Sequence, residues 1–398
     1  MQQSKRDMVS NLKGYLLHPD RAWLLVFLPS LLSYLFLLQQ RINYKEVIGS
    51  IQRYDPAVDE LIPRYAKVEV IAEGFDWTEG PIWVEDEEAG TAYLLFSDVK
   101  QNKIWKWERG GLFTIGTSLF LEKSGCRTDT ERCARLIEPG SNGLVTQPSS
   151  KLLVVCEHGE RRVSRLESNG TRVPLATHFR GQPLNSPNDA VFSPEGHLWF
   201  TDPPYGLNGK EGDPEFVLGH SGVYRVPAAT IKALTEGRSR KPPEPELLVD
   251  DMTRPNGLAF SPDFSVLYIS NSGENSHIRA YSIDMEGNLA SKEFKLFFDA
   301  KQLQPPMKGP AGSADGPEVA FSADGLKVDA RGNLWVAGAP GGGVLVLAPD
   351  GRHLGTVATG AKTGNIAFGD GYLYIAADSK MLRVAISVKK AILPEIKD

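Results

Sequence analysis

Glu79, Asn142, Asn188, Asn256 and Asp324 each stand at the head of a segment with one shared pattern, and Gly364 heads a sixth. An apolar residue follows each head by two positions, then comes a short apolar strand, a tight turn and a second apolar strand. If the segments are related by rotation, the heads converge, and two carboxylates meet up to three amides. An all-oxygen set of mixed charge suits a hard cation, Ca²⁺ first, with Mg²⁺ or Mn²⁺ as alternatives and Zn²⁺ disfavoured by the lack of His and Cys. Asn-Gly and Asp-Gly are also ordinary turn residues. Two heads resist that plainer reading: Glu79 precedes Gly-Pro and is a poor turn former, and Asn188 is followed by Asp.

The elements that must position these residues recur at intervals of roughly 40 to 70 residues, the spacing of a repeat architecture. EGPIWVEDEEAGTAYLLFSD, NGLVTQPSSKLLVVCEH, NDAVFSPEGHLWFTDPP, NGLAFSPDFSVLYISNS, DGLKVDARGNLWVAGAP and GNIAFGDGYLYIAADS are strand-rich and broken by turn residues. One copy per blade predicts an all-β fold, a six-bladed β-propeller over 65–392. The strand-like segments AKVEVIAEGF and MLRVAISV lie near its two ends, and pairing them in one blade would close the ring and remove an open edge. YGLNGKEGDPEFVLGH, after TDPP, is expected to border the channel mouth. AATIKALTEGRSRKPPEPE reads as a solvated excursion.

With 398 residues and 41% hydrophobic content, the chain is large enough for one such domain and little more. A net charge of −5 offers no basic field for nucleic acid. Residues 22–40 contain the uncharged run AWLLVFLPSLLSYLFLL, preceded by Lys5, Arg6, Lys13 and Arg21. That pattern predicts a cytosolic tail over 1–21, a transmembrane signal-anchor helix over 22–40, a linker over 41–64, and a propeller on the lumenal or extracellular side of an endomembrane. A cleaved signal peptide is the competing reading, weakened by Gln39, Gln40 and Arg41 where a small-residue cleavage site would stand. Cys126 and Cys133 can close a small loop in an oxidising compartment, Cys156 reads as a buried thiol, and Asn169-Gly-Thr is a sequon.

TEGPIW, SNGL followed by CEHGERRVSRLE, SPNDAVFSPEGHLWFTDPPYG, RPNGLAFSPD and DGLKVDARGNLWVA, in that order, resemble the gluconolactonase and senescence-marker-protein (regucalcin) family, which includes luciferin-regenerating enzyme. The resemblance spans roughly residues 68–390. It implies a six-bladed propeller with one divalent cation in its channel that hydrolyses sugar lactones. It also implies Glu79, Asn256 and Asp324 as metal ligands, Asn188 close to metal and substrate, and Asp324 as the base that takes a proton from water. His158 is an alternative base. Asn142, His158, Arg161, Asp202 and Tyr205 are candidates for substrate contact, against readings of His158 as a satisfied strand-end residue, Arg161 as a solvated turn and Asp202 as a capping group. Ser186 stands where animal members carry a substrate-holding arginine, so animal-type sugar selectivity does not carry over. The expected partner is a small lactone, and the expected state is a monomer. A non-catalytic tethered propeller, an arylesterase-type hydrolase on the same site and a strictosidine-synthase-like condensing enzyme are the other readings. The last would lack the oxygen set.

Overall fold

The computed structural model describes residues 46–389 apart from 87–88, 110–115, 240, 243, 274 and 304–320. Alternating apolar residues build six antiparallel sheets of four or five strands, the six blades of a β-propeller. The innermost strands are Thr78–Asp86, Ser141–Thr146, Ala190–Phe192, Pro255–Phe260, Leu326–Val328 and Thr363–Gly369. Each blade continues outward through antiparallel neighbours.

Twisted sheets packed face to face need apolar side chains on both faces. Among the described residues six apolar clusters supply them, one at each junction between neighbouring blades. Leu95 and Ile104 of the first blade meet Leu144 and Val155 of the second. Trp83 of the first blade stacks on Tyr374 of the sixth at 5.1 Å and seals the last junction. The ring closes as the strand pattern predicts. Val68–Glu73 pairs antiparallel with Lys380–Ala385, Glu73 opposite Lys380 and Ala72 opposite Met381.

Part of the stretch expected to be a linker pairs with the propeller instead, from residue 47 onward. Val47–Ile48 extends the sixth blade beyond Val68–Glu73, and Ser50–Arg53 extends the fifth beyond His353–Ala358. A short helix, Val58–Leu61, then buries Val58, Leu61 and Ile62 in the core between those two blades. Edge strands this short carry little alternation, so the sequence signal is weak although the helix after them is anchored in the core. The excursion after Ala228 is also partly built in: helix Ala228–Thr235 buries Ile231 and Leu234 beside the third blade. Among the described residues no helix is long and apolar enough to cross a membrane. The expected span over 22–40 lies outside the described residues.

Candidate active site in the central channel

The strand heads reach the channel because the innermost strands slip register just there. Pairing shifts between Glu79 and Ile82, Ser141 and Leu144, Pro255 and Leu258, and Thr363 and Asn365. Such bulges re-aim side chains and are common beside functional sites. Close approach of neighbouring heads restricts what can stand at them. Gly80 has φ +48°, and a Cβ on it would strike the Asn142 carbonyl. Gly364 occupies the sixth head, where a Cβ would collide with the Glu79 carboxylate. The head without a side chain therefore makes room for the Glu79 carboxylate.

Five heads are also held by the blade before them. Ser97 Oγ donates to the Asn142 carbonyl at 2.8 Å, Thr201 Oγ1 to the Asn256 carbonyl at 2.7 Å, and Ser270 Oγ to the Asp324 carbonyl at 2.7 Å. Gly143 N donates to the Asn188 carbonyl at 2.7 Å and Gly325 N to the Gly364 carbonyl at 2.8 Å. These heads are thus fixed by backbone contacts, which leaves their side chains available for other work.

Glu79, Asn142, Asn188, Asn256, Asp324 and Tyr205 line one cavity of about 430 Å³. Glu79 and the three asparagines are buried, while Asp324 keeps part of its surface open to the cavity. Burial and the nearby charge of Asp324 hold the Glu79 carboxyl well above its usual range. Burial lifts Asp324 to about 7, against the opposing pull of Lys362 and a hydrogen bond from Asn256. Asn256 Nδ2 donates to Ser272 Oγ at 3.1 Å, yet its Oδ1 has no partner, and neither has Asn142 Oδ1. Buried amide oxygens without donors cost stability and ask for an explanation. The Asn256 oxygen beside two mutually repelling carboxylates fits a divalent oxygen-seeking cation, which would be held by Glu79, Asn188, Asn256 and Asp324, while the Asn142 oxygen is left for another polar group in the same cavity. Among the described residues no three His, Cys, Asp or Glu side chains cluster closely enough to form a metal site by themselves.

Three expected substrate contacts lie elsewhere. His158, Arg161 and Asp202 do not line the cavity. Arg161 is buried as a brace: its Nε donates to the Leu184 and Asn185 carbonyls at 2.5 and 3.1 Å, and its outer nitrogens hold Glu215. Asp202 accepts the Asn185 N–H at 2.7 Å and fixes the loop leading to Asn188. Asp98 and Asn271 occupy the same place in their blades and accept backbone N–H groups of Trp77 and Arg254 in the same way. Ser186 is a brace as well, donating to the Pro203 carbonyl at 2.6 Å and accepting from Gly206 N at 2.8 Å. His158 is fully buried with its Nδ1 3.6 Å from Glu138 Oε2.

Other lining residues carry no repeat signal. Glu138 enters from the insertion closed by the Cys126–Cys133 disulfide, and Tyr205 and Lys210 from the loop expected at the mouth. Lys100 and Lys362 lie over the Trp77 ring at 5.9 and 4.8 Å, and Lys210 and Arg254 over Tyr205 at 5.8 and 5.9 Å. An aromatic floor at the rim suits the apolar face of a sugar ring. Burial pushes the Tyr205 phenol up, and the nearby charge of Asp324 adds to the shift.

Residues 77–378, which hold every head and every rim residue named above, match the SMP-30/Gluconolactonase/LRE-like region. The chain belongs to that family. It is 33% identical over 343 residues to the gluconolactonase of Zymomonas mobilis, covering 85% of this chain and 86% of that one. A gluconolactonase structure from Xanthomonas campestris matches at 25% identity with TM-score 0.65, over 86% of this chain and 98% of the other. A calcium-binding regucalcin from Agrobacterium tumefaciens shares the fold at 18% identity and TM-score 0.57, over 83% and 97% of the two chains. This member of the SMP-30/gluconolactonase family is a gluconolactonase-like hydrolase of lactone bonds.

Proposed function

We propose that the protein opens sugar lactones such as glucono-δ-lactone, and that it does so with one divalent cation, Ca²⁺ first, held by Glu79, Asn188, Asn256 and Asp324. The observation that carries the reading is the donorless Asn256 Oδ1 in one cavity with two carboxylates whose pKa values burial has raised. A scaffold would need the blade contacts but no such convergence. When bound, the cation supplies Lewis-acid polarisation of the lactone carbonyl and offsets charge developing on its oxygen. The chain's own part is to bind and orient. Trp77 and Tyr205 offer ring faces to the sugar, the cations over them reach its hydroxyls, and Asn142 offers an amide. The walls from the disulfide loop and the 203–220 loop limit water to what the cavity admits.

The test is lactone hydrolysis by the full-length protein after chelation, with Ca²⁺, Mg²⁺, Mn²⁺ and Zn²⁺ added back, beside Asp324→Ala. Activity that returns with a cation and is missing in the variant supports the reading. A protein that binds the cation and hydrolyses neither lactones nor aryl esters contradicts it. The anchor over 22–40 is also proposed, on the sequence run alone. It would set the propeller outside the cytosol, where the Cys126–Cys133 bond would persist. Extraction of the chain from membranes by alkaline carbonate would refute it.

A further inference from the structure

A hydrolase that uses this cavity needs a group to take the proton of the attacking water, and the cation set is poorly placed to provide it. Glu79 and Asp324 are its only charged members, so balancing a divalent ion engages both, and a carboxylate so engaged is a weaker base. Two other carboxylates line the cavity, Glu138 and Asp378. They differ in what stands behind them. Behind Glu138 lies His158, with no exposed surface, both ring nitrogens lacking a hydrogen-bond partner and Nδ1 3.6 Å from Glu138 Oε2. A buried imidazole whose nitrogens make no hydrogen bond is costly and asks for an explanation.

The backbone around the pair is fixed on both sides. Ile137 N donates to Asn208 Oδ1 at 2.9 Å, Gly140 N to the Val99 carbonyl at 2.8 Å, and His158 N to the Gly140 carbonyl at 3.1 Å. Gly206 packs so closely on the imidazole that a Cβ there would meet His158 Cβ at 2.7 Å. Glu138 thus stands on a backbone held on both sides, with its carboxylate facing His158. It lines the same cavity as Glu79 and Asp324.

We infer that Glu138, not Asp324, is the catalytic carboxylate that accepts the water proton, and that His158 is a positioning residue that holds Glu138 toward the cavity. The assignment rests on the lactone-hydrolase reading of the same site. In the step, a water O–H bond breaks and its proton passes to Glu138 as the water oxygen bonds to the carbonyl carbon. The bond from that carbon to the ring oxygen then breaks, and Glu138 returns the proton to the departing oxygen. The product is the open hydroxy acid, and Glu138 is a carboxylate again.

The experiment compares full-length wild type, Glu138→Gln, Glu138→Gly and His158→Phe, each loaded with Ca²⁺, by kcat, KM and calorimetric Ca²⁺ affinity. Glu138→Gln is expected to lose about 10²-fold or more in kcat while KM and Ca²⁺ affinity stay within about threefold. Formate should restore part of kcat to Glu138→Gly and none to Asp324→Ala. His158→Phe should lower kcat by about tenfold with KM kept, a split that a loss of folded fraction alone would not give at constant active-site concentration. An active wild type beside a Glu138→Gln that keeps its kcat, or that changes only in KM, overturns the assignment alone. A wild type inert toward every lactone overturns the hydrolase reading and the assignment with it.

Discussion

Asp324 and Asp202 have carboxyls that burial lifts to about the same pKa, near 7, yet their surroundings assign them different work. Asp202 ends the second strand of the third blade and accepts a backbone N–H from the loop before Asn188. Asp324 heads the fifth blade and shares a cavity with Glu79 and with amide oxygens that have no donor. A raised pKa marks burial. Only the company of the carboxyl tells a brace from a ligand.

Replacing the two in turn should separate them, most strongly in activity. Asp324→Ala is expected to lose about 10³-fold in kcat/KM for a lactone, with a cation-free melting temperature unchanged or raised because the repulsion on Glu79 is gone. Asp202→Ala should instead cost about 1–3 kcal/mol of stability from loop N–H groups left without an acceptor, read by denaturant titration, with kcat of the folded enzyme kept. Equal losses of activity in both variants would erase the distinction. Gly364→Ala approaches it from the other side: the new Cβ meets the Glu79 carboxylate, so Ca²⁺ affinity should fall by about tenfold or more while the brace layer is untouched.

The pH dependence separates the two aspartates further. In the cation-free protein the folded-state pKa values of Glu79, Asp202 and Asp324 are all raised, so between about pH 4 and 7 the folded chain binds more protons than the unfolded one. Stability from these groups is therefore fullest below the unfolded carboxyl range and declines as pH rises toward 7. With the proposed cation held by Asp324 and not by Asp202, protons compete with it for Asp324 alone of the two. The melting-temperature gain from Ca²⁺ should shrink as pH falls from 8 to 6 and should vanish in Asp324→Asn but not in Asp202→Asn. The smallest effect is expected of Asp202→Asn itself, about 1 kcal/mol or less, since Asn271 already does the same task in the fourth blade.

The heads are legible in the sequence because every copy repeats its register, and Glu79 stands out as a residue no turn would choose. Asp202 is ambiguous for the converse reason. Consecutive strand residues face opposite ways, and a strand-end carboxylate next to Pro-Pro reads alike on either side. Arg161 looks like a rim residue because its burial depends on Leu184, Asn185 and Glu215, none of them near it in sequence. Glu138 leaves no signal at all, since it stands in an insertion that matches no other blade. Residues 47–61 resemble a linker because strands of two and four residues and a four-residue helix are too short to show a period.

Whether its company makes Asp324 a ligand and Asp202 a brace is decided by calorimetric titration of Ca²⁺ into chelator-treated wild type, Asp324→Asn and Asp202→Asn at pH 8. One site is predicted in wild type and in Asp202→Asn, and none in Asp324→Asn. Unchanged binding in Asp324→Asn, or its loss in a folded Asp202→Asn, would contradict the assignment.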